Sequence, residues 1–110
     1  TSILALCSTW VLAIGLLLLL FDINFGTSFF KPDAGGNIVI YQHLFWFYSH
    51  PAVYLMILPI FGIMSEVIPV HARKPIFGYK AIAYSSLAIC FVGLFVWVHH
   101  MFTSATPPWM

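Results

Sequence analysis

Three long runs of apolar residues, separated by two short polar stretches, dominate the chain. The first run extends over residues 1–21 without a charged side chain, and the other two cover about 38–68 and 80–103. An α-helix rises about 1.5 Å per residue, so about 20 apolar residues cross a hydrocarbon core of about 30 Å. The pattern predicts an all-α, polytopic transmembrane bundle with about three membrane-spanning helices.

The composition supports this prediction and excludes other classes of protein. Of the 110 residues, 62% are hydrophobic and only 6% are charged, whereas soluble domains carry about 25% charged residues. A net charge of +1 provides no basic surface, so no nucleic-acid partner is expected. Cys7 and Cys90 lie far apart inside apolar runs. They are expected to be packed thiols rather than a disulfide or a metal site.

The ends of the chain suggest a piece of a longer protein. The sequence starts inside an apolar run at Thr1, without an initiator Met or the basic region of a signal peptide. It stops at Met110 without a polar tail. We therefore expect residues 1–110 to be one part of a larger membrane domain, and some functional residues to lie elsewhere in the protein.

The basic residues predict how the helices are oriented. The loop between the second and third runs carries three basic residues and no acid, whereas the earlier loop carries Lys31 against Asp22 and Asp33. Cytoplasmic loops are enriched in Lys and Arg. The second loop is therefore expected on the cytoplasmic or matrix side, and the first loop on the opposite side.

Three histidines in the apolar runs indicate a site. Polar groups inside a membrane span are energetically costly and usually functional. His50 lies about a dozen residues from the outer end of the second run, and His99 and His100 lie near the outer end of the third. With a rise of about 1.5 Å per residue, all three fall at one depth. We expect them to meet.

Neutral imidazoles that converge in an apolar interior suit a borderline metal ion. The residues alone leave copper and zinc open, and a single histidine of this kind would more often be a hydrogen-bonded packing residue. Tyr54 follows His50 by four residues, on the same helical face, so its phenol is expected to lie beside this imidazole. His43 and Glu66 are expected to be packing or interfacial residues.

Several motifs resemble subunit 1 of the heme–copper terminal oxidases. The runs Tyr41–Phe47, His50–Tyr54 and Val98–Thr103 are similar to the sixth and seventh transmembrane helices of that family. Phe25–Phe30 and Phe77–Tyr79 are similar to its loops. The resemblance covers nearly the whole chain.

The resemblance implies roles for individual residues. His50, His99 and His100 would bind the copper ion called CuB, and Tyr54 would be cross-linked to His50 and supply a proton and an electron. Trp46 and Val53 match positions near the oxygen path and the cavity that holds the heme iron and CuB. The ligands of the heme irons, and the lysine proton channel, would lie outside this chain.

One position departs from the family pattern. The family usually has a glutamate where this chain has Ala52, preceded here by Tyr48 and Ser49. Tyr48 lies one turn before Ala52, so its hydroxyl reaches toward the same space. We expect Tyr48, with Ser49, to relay protons in place of the glutamate. A phenol, with a pKa near 10 against about 4.3 for glutamate, would not store charge there.

The implied function is the reduction of dioxygen to water, coupled to proton translocation, with electrons from cytochrome c. A quinol donor, selected through subunit 2, and a nitric oxide reductase remain alternatives, although Tyr54 argues against the reductase. A non-catalytic metal-binding or metal-transporting membrane segment is a further alternative. The expected location is the bacterial inner membrane, together with other oxidase subunits.

Overall fold

The chain forms three α-helices and two short 3-10 helices in a computed structural model that describes residues 1–104 and 107. The α-helices are α1 (Ser2–Asn24), α2 (Ile38–Ala72) and α3 (Tyr79–Val92), and the 3-10 helices are Pro32–Ala34 and Trp97–Met101. Both α1 and α2 are long and apolar enough to cross a membrane, and α3 is shorter. The prediction of an all-α bundle is confirmed.

Helix α1 packs against α2 along one narrow stripe. Its buried residues are Leu4, Ser8, Gly15 and Asp22, whose spacing of four and then seven residues keeps them on one side of the helix. A Cβ atom on Gly15 would lie 3.2 Å from Leu44 Cβ, so the two backbones are close there. Small residues allow such close packing of membrane helices.

The loop between α1 and α2 is organised by the Asp22 carboxylate. The Thr27 hydroxyl and the backbone N–H groups of Phe29 and Phe30 all donate to it. Position 36 of this loop requires glycine, because a Cβ atom there would clash with the Ser28 carbonyl oxygen. The loop therefore fixes where α2 begins.

Helix α2 begins and ends at identifiable caps. The side chain of Asn37 accepts a hydrogen bond from the Val39 N–H at 2.9 Å, which satisfies a free donor of the first turn. At the other end Arg73 adopts a left-handed conformation with φ of 51°, and its N–H bonds to the Val70 carbonyl. The helix runs four residues beyond the predicted end of this span, because its last turn is closed by this cap.

The third predicted span, 80–103, is not one α-helix in the structure. Helix α3 ends at Val92, and hydrogen bonds from Leu94 to Phe91 and from Phe95 to Val92 tighten the chain into turns. The 3-10 helix Trp97–Met101 follows. Gly93 follows the last residue of α3 directly, and glycine has low helix propensity. The site histidines near the end of the predicted span are therefore carried by a 3-10 helix.

Candidate metal centre

One face of α2 carries the side chains that form the centre. His43, Phe47, His50 and Tyr54 follow one another at intervals of four, three and four residues, which places them on one side of an α-helix. His50 is only 6% exposed, although it lies in an apolar span. The helix thus presents a buried imidazole to the segment packed against this face.

The 3-10 helix Trp97–Met101 brings the other two histidines to this face. His50 Nδ1 and His100 Nε2 are 3.1 Å apart. The ring centroids of His50 and His99 are 4.6 Å apart, and those of His99 and His100 are 4.1 Å apart. One potential ligand atom from each residue lies within 4.8 Å of the others. The expected convergence of the three histidines is therefore observed.

The arrangement fits a metal ion that imidazoles bind. His50 Nε2 is buried and has no hydrogen-bond partner among the described residues, although buried polar atoms are usually partnered. The 3.1 Å between His50 Nδ1 and His100 Nε2 is also close to the spacing of two nitrogens that share an ion at about 2.0–2.1 Å each. Three neutral imidazoles suit copper or zinc.

An indole ring supports the third histidine. Trp46 stacks on His100, with centroids 4.1 Å apart and an interplanar angle of 4°. The Trp46 Nε1–H group donates to Gln42 Oε1 at 3.1 Å, which restrains the indole from the preceding turn of α2. Trp46 therefore lies at the histidine cluster, and its role near the oxygen path stays a prediction.

The ring of Tyr54 lies against His50 from the following turn. Their centroids are 4.5 Å apart in an edge-to-face arrangement. Gly93 also lies close to the Tyr54 ring, because a Cβ atom on Gly93 would lie 3.0 Å from Tyr54 Cδ2. The glycine at the end of α3 thus leaves room for the phenol ring beside His50.

The remaining predicted site residues lie outside the cluster. Tyr48 and Ser49 are half-buried in the turn around His50. Two residues along an α-helix correspond to a rotation of about 200°, so Tyr48 faces away from His50. Val53 is 51% exposed on α2. Among the described residues, no hydrogen bond or ring contact joins these three residues to the histidines, and their roles stay predictions.

One specific contact was missed by sequence reasoning. The Trp97 Nε1–H group donates to His43 Nδ1 at 3.2 Å, and Phe47 packs on the same indole at a centroid distance of 4.8 Å. His43 was expected to be a packing or interfacial residue without a named partner. The interval of seven residues between His43 and His50 places both imidazoles on one face of α2. This spacing could have indicated that His43 also faces the segment that carries Trp97.

Comparison with known proteins gives a family and close relatives. The family described as Cytochrome C and Quinol oxidase polypeptide I matches residues 1–110. The chain is 91% identical over 110 residues to a protein of Thermostichus vulcanus, and 74% identical over 110 residues to one of a Synechocystis species. It is 56% identical over 97 residues to a protein of Bacillus subtilis. All three are named cytochrome c oxidase subunit 1.

These matches cover the chain but only part of the relatives. The first two cover 100% of this chain and 20% of each relative, and the third covers 88% of this chain and 16% of the relative. The chain therefore spans about a fifth of the length of the relatives that it matches.

Proposed function

Because the chain belongs to the cytochrome c and quinol oxidase polypeptide I family, we propose that it forms part of the catalytic subunit of a respiratory terminal oxidase. The proposed reaction is the reduction of dioxygen to water at a heme–copper centre, coupled to proton translocation. Cytochrome c is the proposed electron donor, since relatives from three bacteria carry the name cytochrome c oxidase subunit 1.

The observation that carries the proposal is the buried histidine cluster. His50 Nδ1 lies 3.1 Å from His100 Nε2, and one ligand atom from each of the three histidines lies within 4.8 Å of the others. We propose that these three residues hold copper. Copper bound there would supply one-electron redox chemistry beside a heme. The ligands of the heme iron are proposed to lie in the rest of the subunit.

Tyr54 is proposed to serve this centre through its phenol group. Its ring lies edge-on to His50, so a proton can be held at its oxygen on the helical turn next to the cluster. The phenol is proposed to provide a proton and an electron during dioxygen reduction, and to be linked covalently to His50. Forming this bond between an imidazole nitrogen and a ring carbon would remove one hydrogen from each ring, with the two electrons passing to dioxygen. Trp46 and Val53 are proposed to lie along the path by which dioxygen reaches the centre.

Protons for the centre are proposed to pass Tyr48 and Ser49. Both are half-buried on α2, and Tyr48 precedes Ala52 by one turn, where the family usually has a glutamate. Pro51 lacks an N–H, so the Phe47 carbonyl is free to hold a water molecule. A chain of hydroxyls and water passes protons without a net charge in the apolar interior, where a lone ion costs about 2.5–3.5 kcal/mol.

The proposed setting is a multi-pass subunit in a bacterial inner membrane, in contact with subunit 2 and other oxidase subunits. The apolar helices α1 and α2 support a membrane location. Their orientation is testable in sealed vesicles with a membrane-impermeant amine label. Lys74 is expected to react only from the cytoplasmic side, and reaction only from the outer side would reverse the proposed orientation.

The metal assignment is tested by changing His100 to Ala in the complete oxidase. Copper content and dioxygen reduction are expected to fall together, while the spectrum of the low-spin heme is retained. His71→Ala is the matched control, because His71 is exposed on α2 and contacts only the Val67 carbonyl of its own helix in the described structure. Undiminished copper and full activity in His100→Ala would contradict the assignment.

A further inference from the structure

We propose that His43 is a positioning residue for the metal centre. Through the indole of Trp97, its imidazole holds in place the 3-10 helix Trp97–Met101, which carries His99 and His100. This inference rests on the proposed copper function, and it adds a residue that lies outside the ligand set.

The 3-10 helix is attached to α2 at two points. At its first residue, Trp97 Nε1–H donates to His43 Nδ1 at 3.2 Å. Near its end, His100 Nε2 lies 3.1 Å from His50 Nδ1. His43 and His50 are seven residues apart, about 10.5 Å along α2. Two separated attachments restrict rotation of a short helix about its own axis, which a single attachment would allow.

Such restriction matters because the intrinsic stability of this helix is low. It contains five residues, and short 3-10 helices have poor hydrogen-bond geometry. The direction in which His99 and His100 point therefore depends on what holds the segment from outside. Groups that orient metal ligands without binding the metal commonly change metal affinity by about 10–100-fold when they are removed.

The hydrogen bond also defines the state of the His43 ring. An indole N–H is a donor only, so Nδ1 of His43 must accept and carries no hydrogen. The ring is then neutral with its hydrogen on Nε2. An Asn side chain offers a carbonyl oxygen near the position of Nδ1, whereas Leu fills similar space without an acceptor.

A role in packing alone would be met by other side chains. Phe47 already packs edge-on against Trp97 with centroids 4.8 Å apart, so an apolar residue at position 43 would preserve contact with the indole. The hydrogen bond from Trp97 Nε1–H, in contrast, requires an acceptor at position 43. The comparison of Leu with Asn at position 43 therefore separates orientation from packing.

The test measures copper retention in the complete, purified oxidase. The copper bound at this site is defined as the amount that the unmodified oxidase contains and His50→Ala lacks. For each variant, a copper chelator is titrated, and the chelator concentration that removes half of this copper is determined. His43→Leu and Trp97→Phe are each expected to lower this concentration about tenfold, and the double variant is expected to lower it no further. His43→Asn is expected to stay near the unmodified oxidase. His71→Leu, on an exposed histidine of the same helix, is the control and is expected to change nothing.

The outcomes separate this inference from the proposed function. If His50→Ala keeps its copper, the proposed copper site itself is wrong. If His50→Ala loses copper but His43→Leu retains it as firmly as the unmodified oxidase, or His43→Asn is as weak as His43→Leu, only the positioning role is wrong. If His43→Leu does not assemble, the comparison of His43→Asn with Trp97→Phe decides. Equal copper retention in these two would overturn the inference.

Discussion

The two halves of α2 have very different surroundings. Every residue of the N-terminal half from 41 to 50 is at least half-buried, packed by α1 and by the 3-10 helix Trp97–Met101. In the C-terminal half, residues 60–68 are exposed apart from Ser65. A groove of about 710 Å³ lies there between α2 and α3.

The two halves of α2 also differ in the chemistry of their side chains. The N-terminal half contains hydrogen-bonded polar side chains, among them Gln42, His43 and His50, which an apolar environment tolerates only with partners. The C-terminal half presents large apolar side chains such as Ile63 and Ile68. Contiguous apolar surface of this kind is covered by lipid or by protein neighbours. The histidine cluster is therefore packed by other segments of this chain, whereas the surface of the C-terminal half lies open to further contacts.

The largest effect is expected from the phenol at the centre. Changing Tyr54 to Phe keeps the ring against His50 but removes the hydroxyl, and dioxygen reduction is expected to fall by about 10²–10⁴-fold, as for the loss of a positioned acid. Copper content is expected to be unchanged. Tyr84→Phe, on the exposed surface of α3, is the control. Turnover near that of the unmodified oxidase would mean that Tyr54 only packs.

A smaller effect is expected at the proposed relay. Tyr48→Phe is expected to slow turnover and proton release in sealed vesicles several-fold, because Ser49 and water keep part of the path. Adding Ala52→Glu is expected to restore part of the loss. Unchanged turnover and proton release would make Tyr48 a structural residue, and protons would then have to arrive by another route.

A pair of glycines tests the packing difference between the two halves. A Cβ atom at Gly93 would lie 3.0 Å from both the Ile89 carbonyl oxygen and Tyr54, whereas one at Gly62 meets nothing within 4 Å. Gly93→Ala is expected to destabilise the oxidase by about 1–3 kcal/mol. Gly62→Ala is expected to be neutral or to stabilise α2 by up to about 1 kcal/mol. Thermal denaturation in detergent measures both, and equal shifts would contradict the comparison.

The smallest effect is expected at Gln42. Gln42→Leu removes the acceptor for the Trp46 indole and is expected to cost about 0.5–1.5 kcal/mol, with a modest loss of copper affinity because Trp46 stacks on His100. Ser85→Ala removes the bond from an exposed hydroxyl to the Ala81 carbonyl on α3 and serves as the control. If both variants denature at the same temperature, the restraint on Trp46 is energetically unimportant.

Much of this organisation could be predicted from local sequence. The length of the apolar runs predicted helices α1 and α2, because helical rise is a fixed quantity. The positions of His50, His99 and His100 near the outer ends of their runs predicted their convergence, although the last two are carried by a 3-10 helix. The third run, about 80–103, is not one α-helix, because α3 ends at Val92. Gly93 follows directly, and glycine favours an α-helix less than any residue except proline.

The sequence by itself determined the number of apolar helices, because this follows from the length of the apolar runs, and it identified the three histidines of the cluster. It also determined the neighbourhood of Tyr54, because a spacing of four residues from His50 places both on one helical face. Only the tertiary structure decided which side of each helix is buried. Apolar residues occupy every side of α1, so their pattern does not distinguish the packed stripe of Leu4 and Ser8 from the exposed surface. The pairing of His43 with Trp97 likewise joins residues 54 positions apart, and only the packing of the 3-10 helix on α2 brings them together.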